Sequence, residues 1–404
     1  MISAGITYIE TLLYAYLIIC VGYLALFAFA ALFAKEKKIP STDQYARFIL
    51  LIPSYKEDKV ILDTAKAALA QDYPTDAYHV LVISDRMSDQ TNEALQAIGT
   101  EVLKIEFEES SKALALQTAI KHCHPEKQSN EESLSRFDYI VILDADNIIA
   151  PYYLKQVNEY IQDSHCNILQ THRMAKNLNT STAILDASIE EMNNTIFRKG
   201  HVQLGLSSAL IGSGMVMDYS WFADNIFHAH TAGEDKEFEE MLLWQRIPIH
   251  YADHIHVLDE KVQQKAVMDK QRKRWVATQF FLARLMVPKF SQALRQGNWD
   301  YVVKTIQSII LPRSILLGII GMLCLLTTVI PMLSSMKWWT LLFILLITFY
   351  IAIPKTMKNK QLYQAIKEVP SFICSMILNL FRSKGASKKF IHTSHGEDLS
   401  SRPK

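Results

Sequence analysis

Apolar and polar positions fall along this chain in two textures. No charged residue occurs from Thr11 to Ala34, a run long enough to cross a bilayer as a helix. After Pro40, short apolar runs take turns with polar, helix-like stretches, an order that predicts β-α-β-α-β and a right-handed, mostly parallel sheet. Residues 47–53, 79–83, 102–107, 137–143 and 166–171 are the expected strands, while residues 59–70 and 110–122 carry apolar positions at helical spacing. Tyr139 to Leu143 is apolar at every position, so this strand should be central and covered on both faces. The polar segment 125–135 reads as a surface loop. Membrane-like texture returns at 306–332 and again at 338–353.

The strands end in chemistry. The central one runs into Asp144 and Asp146, at the sheet edge where parallel α/β folds bind ligands. If the chain stays extended there, period 2 points both carboxylates to one side, where they can share a hard divalent cation with a phosphate. The second strand ends in Asp85 and Asp89, with Ser84, Ser88 and Thr91 as caps for the next helix. Lys112 stands near the start of a helix, and Gly212, Ser213 and Gly214 allow close approach of backbone or substrate. Glu234 and Asp235 open an amphipathic helix, and QRKRW, residues 271–275, sits between charged and apolar stretches. Each of these has an ordinary reading when taken alone: a strand end, a turn, a helix cap, an interfacial anchor.

Taken in order, PSYKE, a strand ending in Asp85, Lys112, DAD, GSG, GED and QRKRW resemble the membrane-bound family 2 glycosyltransferases, the group of cellulose, hyaluronan, chitin and poly-N-acetylglucosamine synthases. The resemblance spans nearly the whole chain, and its most specific element is QRKRW, which fits that group's Q-x-x-R-W pattern. It implies an α/β GT-A domain, set between transmembrane helices, that binds a nucleotide-sugar donor, usually UDP-linked. Pro53, Tyr55 and Glu57 would line the nucleoside pocket, Asp85 would accept from the base, and Lys112 would face the nucleotide. Asp144 and Asp146 would hold Mg2+ or Mn2+, with Asp146 the principal ligand. Asp235 would be the catalytic base of an inverting transfer. Arg274 would bind the diphosphate, and Gly212, Ser213, Gly214, Glu234, Gln271 and Trp275 would lie on the acceptor side. Two motifs depart from the group's pattern: GED stands where T-E-D is usual, and Asp85-Arg86 replaces an acidic-glycine turn. A non-catalytic relative would be expected to lose Asp146, Asp235 or Arg274, and all three are present.

The remaining features frame this domain. The basic residues Lys35, Lys37 and Lys38 follow the first apolar run rather than precede it, which favours an uncleaved anchor with the next domain in the cytosol, at the inner (plasma) membrane. The implied organisation is an anchor over 1–38, a cytosolic GT-A domain over 39–275, and interfacial helices over 276–300. Two transmembrane helices over 301–357 follow, then an interfacial helix and a polar tail over 358–404. In the tail, Phe390, His392, Thr393 and His395 resemble a gating-loop element of some of these synthases. A net charge of +1 gives no field for nucleic acid, and five scattered cysteines suggest neither a disulfide framework nor a zinc site. The acceptor is a growing glycan or, as the alternative, a membrane lipid. Three crossings are few for a polymer channel, so a homo-oligomer or an export partner is implied.

Overall fold

The computed structural model describes residues 2–35, 38–123, 137–231, 233–263, 265–329 and 335–370. The loop expected over 125–135 and the tail element at Phe390, His392, Thr393 and His395 lie outside the described residues. The chain divides into two compact units. Among the described residues, one comprises 38–178 and 207–261; the other comprises 2–35, 179–206 and 262–370. The expected boundary at 275 therefore moves, because residues 179–206 and 262–275 group with the apolar helices. QRKRW does not close the α/β domain; it lies inside one 22-residue helix, Lys265–Met286, whose second half was expected to be a separate interfacial helix.

The α/β unit is built on eight strands: β1 Phe48–Tyr55, β2 Tyr78–Asp85, β3 Glu101–Ile105, β4 Tyr139–Ile142, β5 Ile148–Ile149, β6 Ile168–Ala175, β7 Met215–Asp218 and β8 His250–Asp259. Their order across the sheet is β3-β2-β1-β4-β7-β6-β8-β5. The first four are parallel, as the alternation of strands and helices requires. β7 then runs antiparallel between β4 and β6, and β5 is antiparallel to β8, so the sheet is mixed where a mostly parallel one was expected. The reversal matters for the site. It sets Ile142, at the carboxyl end of β4, opposite Met215, at the amino end of β7, so the loops after one and before the other meet.

Burial follows the apolar runs. Phe48 to Ile52 and Ile140 to Leu143 are fully buried, as expected of central strands. Phe48, Leu50, Ile52, Val80, Val82 and Val141 join one core with Ile61, Ala65 and Ala68 of the helix Ile61–Leu69 and with Tyr153, Leu154 and Val157 of the helix Tyr153–Ser164. The helix Lys112–Cys123 packs on β1 and β2 through a row that includes Leu116, Ala119 and Ile120. Each of the Val, Leu, Ile and Phe side chains among these, fully buried, contributes about 1.5–3 kcal/mol of transfer free energy. Ser88 caps the helix Asp89–Ala97 by accepting from Thr91 N at 3.2 Å. Asp58 Oδ1 in turn accepts from Ser88 N, Ser88 Oγ and Thr91 Oγ1, which fixes this helix to the turn after β1.

In the apolar unit, the helix Ile2–Ala31 is the one helix among the described residues that is long and apolar enough to cross a membrane by itself. The span expected at 306–332 is broken: the helices Trp299–Ile309 and Arg313–Val329 meet at a 57° bend. Pro312 is the cause, since it supplies no N–H to continue the helix. Gln279 Nε2 donates to Ser308 O at 3.3 Å and Ile310 O at 2.5 Å, and Tyr16 Oη to Ile309 O at 2.7 Å, so the carbonyls left by the break find donors. The helix Met336–Ala352 is shorter, at 17 residues. Glu10 Oε1 binds Lys337 Nζ at 2.9 Å and Trp338 Nε1 at 3.2 Å, pinning it to the first helix. Gly200 lets the chain cross Phe27 closely, because a Cβ there would overlap Phe27 O.

Candidate active site

Asp144 and Asp146 lie in a tight turn just past β4, not on an extended continuation of it. Asn147 N donates to Asp144 O at 3.1 Å, so the chain has already curled. The expectation that period 2 would turn both carboxylates to one side is thereby corrected. Their surroundings differ: the Asp144 side chain is 34% exposed, whereas Asp146 is buried. Asp146 Oδ1 accepts from Asn147 Nδ2 and Oδ2 from Glu260 N, both at 3.2 Å. Burial, then the nearby Asp259 and Asp144 carboxylates, push the Asp146 carboxyl well above the usual carboxylate range.

Lys112 gathers the separate motifs. Its Nζ donates to Asp144 Oδ1 at 2.5 Å and to Gly212 O at 2.6 Å, and it stands 3.7 Å from Glu234 Oε1. Burial alone would lower the pKa of this ammonium, but Asp144, Glu234 and Asp235 outweigh it and the net shift is upward. The same pairings act on Glu234, which is buried and faces Lys112. Its carboxyl is pushed up to about 7, chiefly by burial and against the pull of Lys112, with Asp235 and Asp144 adding to the rise. Glu234, expected on the acceptor side, is thus an interior partner of Lys112.

Asp235 follows it on the same helix, Glu234–Trp244, and its side chain is 17% exposed. A Cβ at Gly212 would lie 3.9 Å from Asp235 Cγ, which places the carboxylate against the glycine loop. Lys236 Nζ stands 3.4 Å from Asp235 Oδ2; Glu239 Oε2 at 2.9 Å and the Leu210 carbonyl hold that ammonium in place. The two glycines of the loop do different work. Gly214, with φ +63°, has no room for a side chain because a Cβ would overlap Thr171 Oγ1, whereas Gly212, with φ +82°, faces Lys112 and Asp235 at van der Waals distance. Ser213 is buried, and its hydroxyl donates to Asn147 Oδ1.

At the other end of this edge, Tyr55 and Asp85 are register partners on β1 and β2. Pro53 and Tyr55 are half-buried, and Glu57 lies in the turn that follows, its carbonyl accepting from Val60 N and Ile61 N at 3.2 Å. Asp85 is buried, and its Oδ1 makes no hydrogen bond of normal length. Burial raises its pKa, and the nearby Ser110 hydroxyl acts against the rise. An orphaned acceptor of this kind costs about 1–3 kcal/mol until a ligand donates to it. Lys56 and Arg86, directly after β1 and β2, have φ of 56° and 54°. Arg86 therefore adopts the left-handed backbone that a glycine there would supply, so the departure from the acidic-glycine turn changes the side chain and keeps the path.

Gln271, Arg274 and Trp275 belong to the apolar unit, all on the helix Lys265–Met286. Trp275 is 38% exposed, and Gln271 Oε1 is buried without a hydrogen-bond partner. Reasoning from sequence missed Asp259 and Arg173. Asp259 closes β8 and binds Lys261 Nζ at 2.6 Å and Asn147 Nδ2 at 3.2 Å. Arg173, on β6, stands 3.9 Å from Asp144 Oδ2 and 3.8 Å from Asp259 Oδ2. Asp259 also ends a strand, but β8 reads HYADHIHVLD and carries His250, Asp253, His254 and His256 among its apolar residues, so the unbroken apolar run that marked Asp144 is absent there.

This donor set fits a divalent cation. A buried carboxylate crowded by two others is held in its charged form by a hard cation with oxygen ligands. Among the described residues no group of three or more His, Cys, Asp or Glu side chains is placed to bind an ion unaided. Asp144 and Asp146 would accordingly share the ion with oxygens of a ligand.

A family model described as glycosyltransferase like family 2 matches residues 46–278. Among solved structures, the mannosyltransferase PcManGT from Pyrobaculum calidifontis, in complex with GDP-Man and Mn2+, aligns with a TM-score of 0.56 at 14% identity, over 92% of this chain and 98% of that one. TarS of S. aureus, in complex with UDP-GlcNAc, aligns at 0.43 and 12% identity over 83% and 92%. Glucosyl-3-phosphoglycerate synthase of Mycobacterium tuberculosis, with Mn2+, UDP and glucosyl-3-phosphoglycerate, aligns at 0.39 and 14% identity over 59% and 80%. No curated protein matches. At such identities the likeness speaks for the fold, and of these three only the mannosyltransferase is close enough to carry that argument.

Proposed function

The chain is a glycosyltransferase and belongs to glycosyltransferase like family 2, and from that premise we propose that it is an inverting, cation-dependent enzyme. It moves a sugar from a nucleoside diphosphate to a hydroxyl of a growing glycan at the cytosolic face of a membrane. One observation carries the reading: the Lys112 ammonium lies within 4 Å of groups from DAD, GSG and GED at once. Motifs as far apart as residues 112, 144, 212 and 234 thereby form one charged cluster at the carboxyl edge of the sheet.

Asp85 takes the nucleobase. Its unpartnered Oδ1 suits an imide-type N–H such as those of uracil and guanine, and the proposed donor is a UDP- or GDP-sugar. Asp144 and Asp146 would hold Mg2+ or Mn2+, which as a Lewis acid offsets charge on the departing diphosphate. Lys112 adds a fixed positive charge on the same side. Asp235, at the pocket wall beside Gly212, accepts the proton of the acceptor hydroxyl as that oxygen attacks the anomeric carbon. Attack opposite the diphosphate inverts the centre in one step. Arg274 is suited to binding two diphosphate oxygens at once and Trp275 to stacking on an acceptor sugar.

Membrane attachment is supported by the helix Ile2–Ala31 and by the bent pair Trp299–Ile309 and Arg313–Val329. The alternative acceptor, a membrane lipid that receives a single sugar, uses the same residues. The deciding experiment is nucleoside-diphosphate release by the full chain in lipid, with a panel of UDP- and GDP-sugars and either cation, followed by sizing of labelled product. A ladder identifies a polymerase, and one lipid-extractable product identifies the alternative. Absence of turnover with every donor, or full turnover by Asp235→Asn, would overturn the assignment of mechanism.

A further inference from the structure

Asn147 is fully buried, and its side-chain amide uses every hydrogen-bonding position it has. Nδ2 donates to Asp146 Oδ1 and to Asp259 Oδ1, each at 3.2 Å. Oδ1 accepts from Asp144 N at 3.1 Å and from the Ser213 hydroxyl. Ser213 Oγ also accepts from Asp144 N at 3.2 Å. The amide can be oriented only one way, because its acceptor faces two donors and its donor faces two carboxylates.

We propose that Asn147 is the positioning residue of the cation site, a single amide that holds Asp146 and Asp259 side by side and locks both to the Asp144 backbone and the glycine loop. Two buried carboxylates placed together repel each other, and without a shared donor one would swing away from the other. Asn147 supplies that donor while adding no charge. Leu258 and Val257 of β8 pair with Ile148 and Ile149 of β5, so Asn147, the residue before β5, is carried to the end of β8 where Asp259 stands. Through Ser213 the same amide reaches the loop whose Gly212 lies against Lys112 and Asp235. Cation binding and the wall beside the proposed base are thereby one hydrogen-bonded body.

The inference rests on the cation reading of the site, and the test separates the two. Mn2+ binding to the metal-stripped full chain, with UDP or GDP present at fixed concentration to supply the ligand oxygens, is measured by electron paramagnetic resonance, with the unfolding midpoint in chelator recorded alongside. Wild-type protein that takes up no Mn2+ beyond what the nucleotide alone binds would refute the cation reading itself. With wild-type binding established, Asn147→Leu, which keeps the bulk and loses every polar contact, should fold cooperatively in chelator and bind Mn2+ about 10–100-fold more weakly, the range typical of lost outer-shell partners. A folded Asn147→Leu protein with wild-type affinity overturns the proposal. If that variant does not fold, Ser213→Ala decides: it removes one of the contacts that orient the amide, so a several-fold loss of Mn2+ affinity is expected and an unchanged affinity overturns the proposal.

Discussion

Glu234→Gln should make the protein more stable at alkaline pH and leave it nearly unchanged in mild acid. The Glu234 carboxyl is buried and its pKa stands at about 7, against 4.5 for the free group. Between those values the folded chain holds a proton that the unfolded chain releases, so stability falls as pH rises from about 4.5 to about 7 and is level above that. At roughly 1.4 kcal/mol per unit, the rise amounts to about 3 kcal/mol against the fold at about pH 8, and to under about 1 kcal/mol at about pH 5. The attraction of Lys112 is already contained in this figure, because it lowers the pKa that burial has raised. Glutamine keeps the shape and hydrogen-bonding ends but has no charge to bury. Lys112 retains Asp144 and the Gly212 carbonyl. Denaturant unfolding of both proteins in detergent at about pH 5 and about pH 8 gives the comparison. An advantage of Glu234→Gln that grows by about 2 kcal/mol or more between them is the expected result. A variant less stable than its parent at about pH 8 would refute the reasoning, since it would mean that the ion pair with Lys112 outweighs the cost of burial.

Four further substitutions probe other parts of the molecule. Asp146→Asn should cut turnover by about 100-fold or more, a loss of the size seen when a charge-stabilising group is removed. The same change should raise stability in chelator at alkaline pH, because it relieves repulsion with Asp259 and Asp144; full cation-dependent turnover would refute the ligand assignment. Trp275→Ala is expected to spare hydrolysis of the donor while impairing transfer to acceptor, and equal losses in both assays would count against a stacking platform. Gly214→Ala should cost about 2 kcal/mol or more in unfolding free energy, from positive φ plus overlap with Thr171, while Gly212→Ala should cost about 1 kcal/mol, from its φ alone. Equal costs would refute the different roles given to the two glycines.

The parts of the fold legible in the sequence were those with a local cause. An unbroken apolar run marked β4 as central, and Ser88 was readable as a cap because capping needs only the residues that follow it. The direction of β7 had no local cause. Met215 to Asp218 pairs with β4 and β6 wherever they stand, and its antiparallel course is set by the whole sheet. The 306–332 run was expected to cross as one span although it contains Pro312, and the donors that tolerate its break, Gln279 and Tyr16, come from distant helices.

The site divides along the same line. Carboxylates at strand ends and a pair of glycines flanking a serine are local signals, and they singled out Asp85, Asp144, Asp146, Gly212 and Gly214 as candidates. Partnership is not local. Lys112 joins residues 144, 212 and 234 because the helix it begins packs over β1 and β2, and Asp259 reaches Asn147 only because β5 folds back onto β8. Charge states follow partnership rather than sequence. Glu234 and Asp235 are adjacent in the chain, yet the first faces the interior and Lys112 while the second lines the glycine loop beside Lys236. Which of two neighbouring carboxylates is buried is decided by a helix register that the pair itself does not encode. The proposed base is for that reason identified by the wall it occupies, and its neighbour by the proton it keeps.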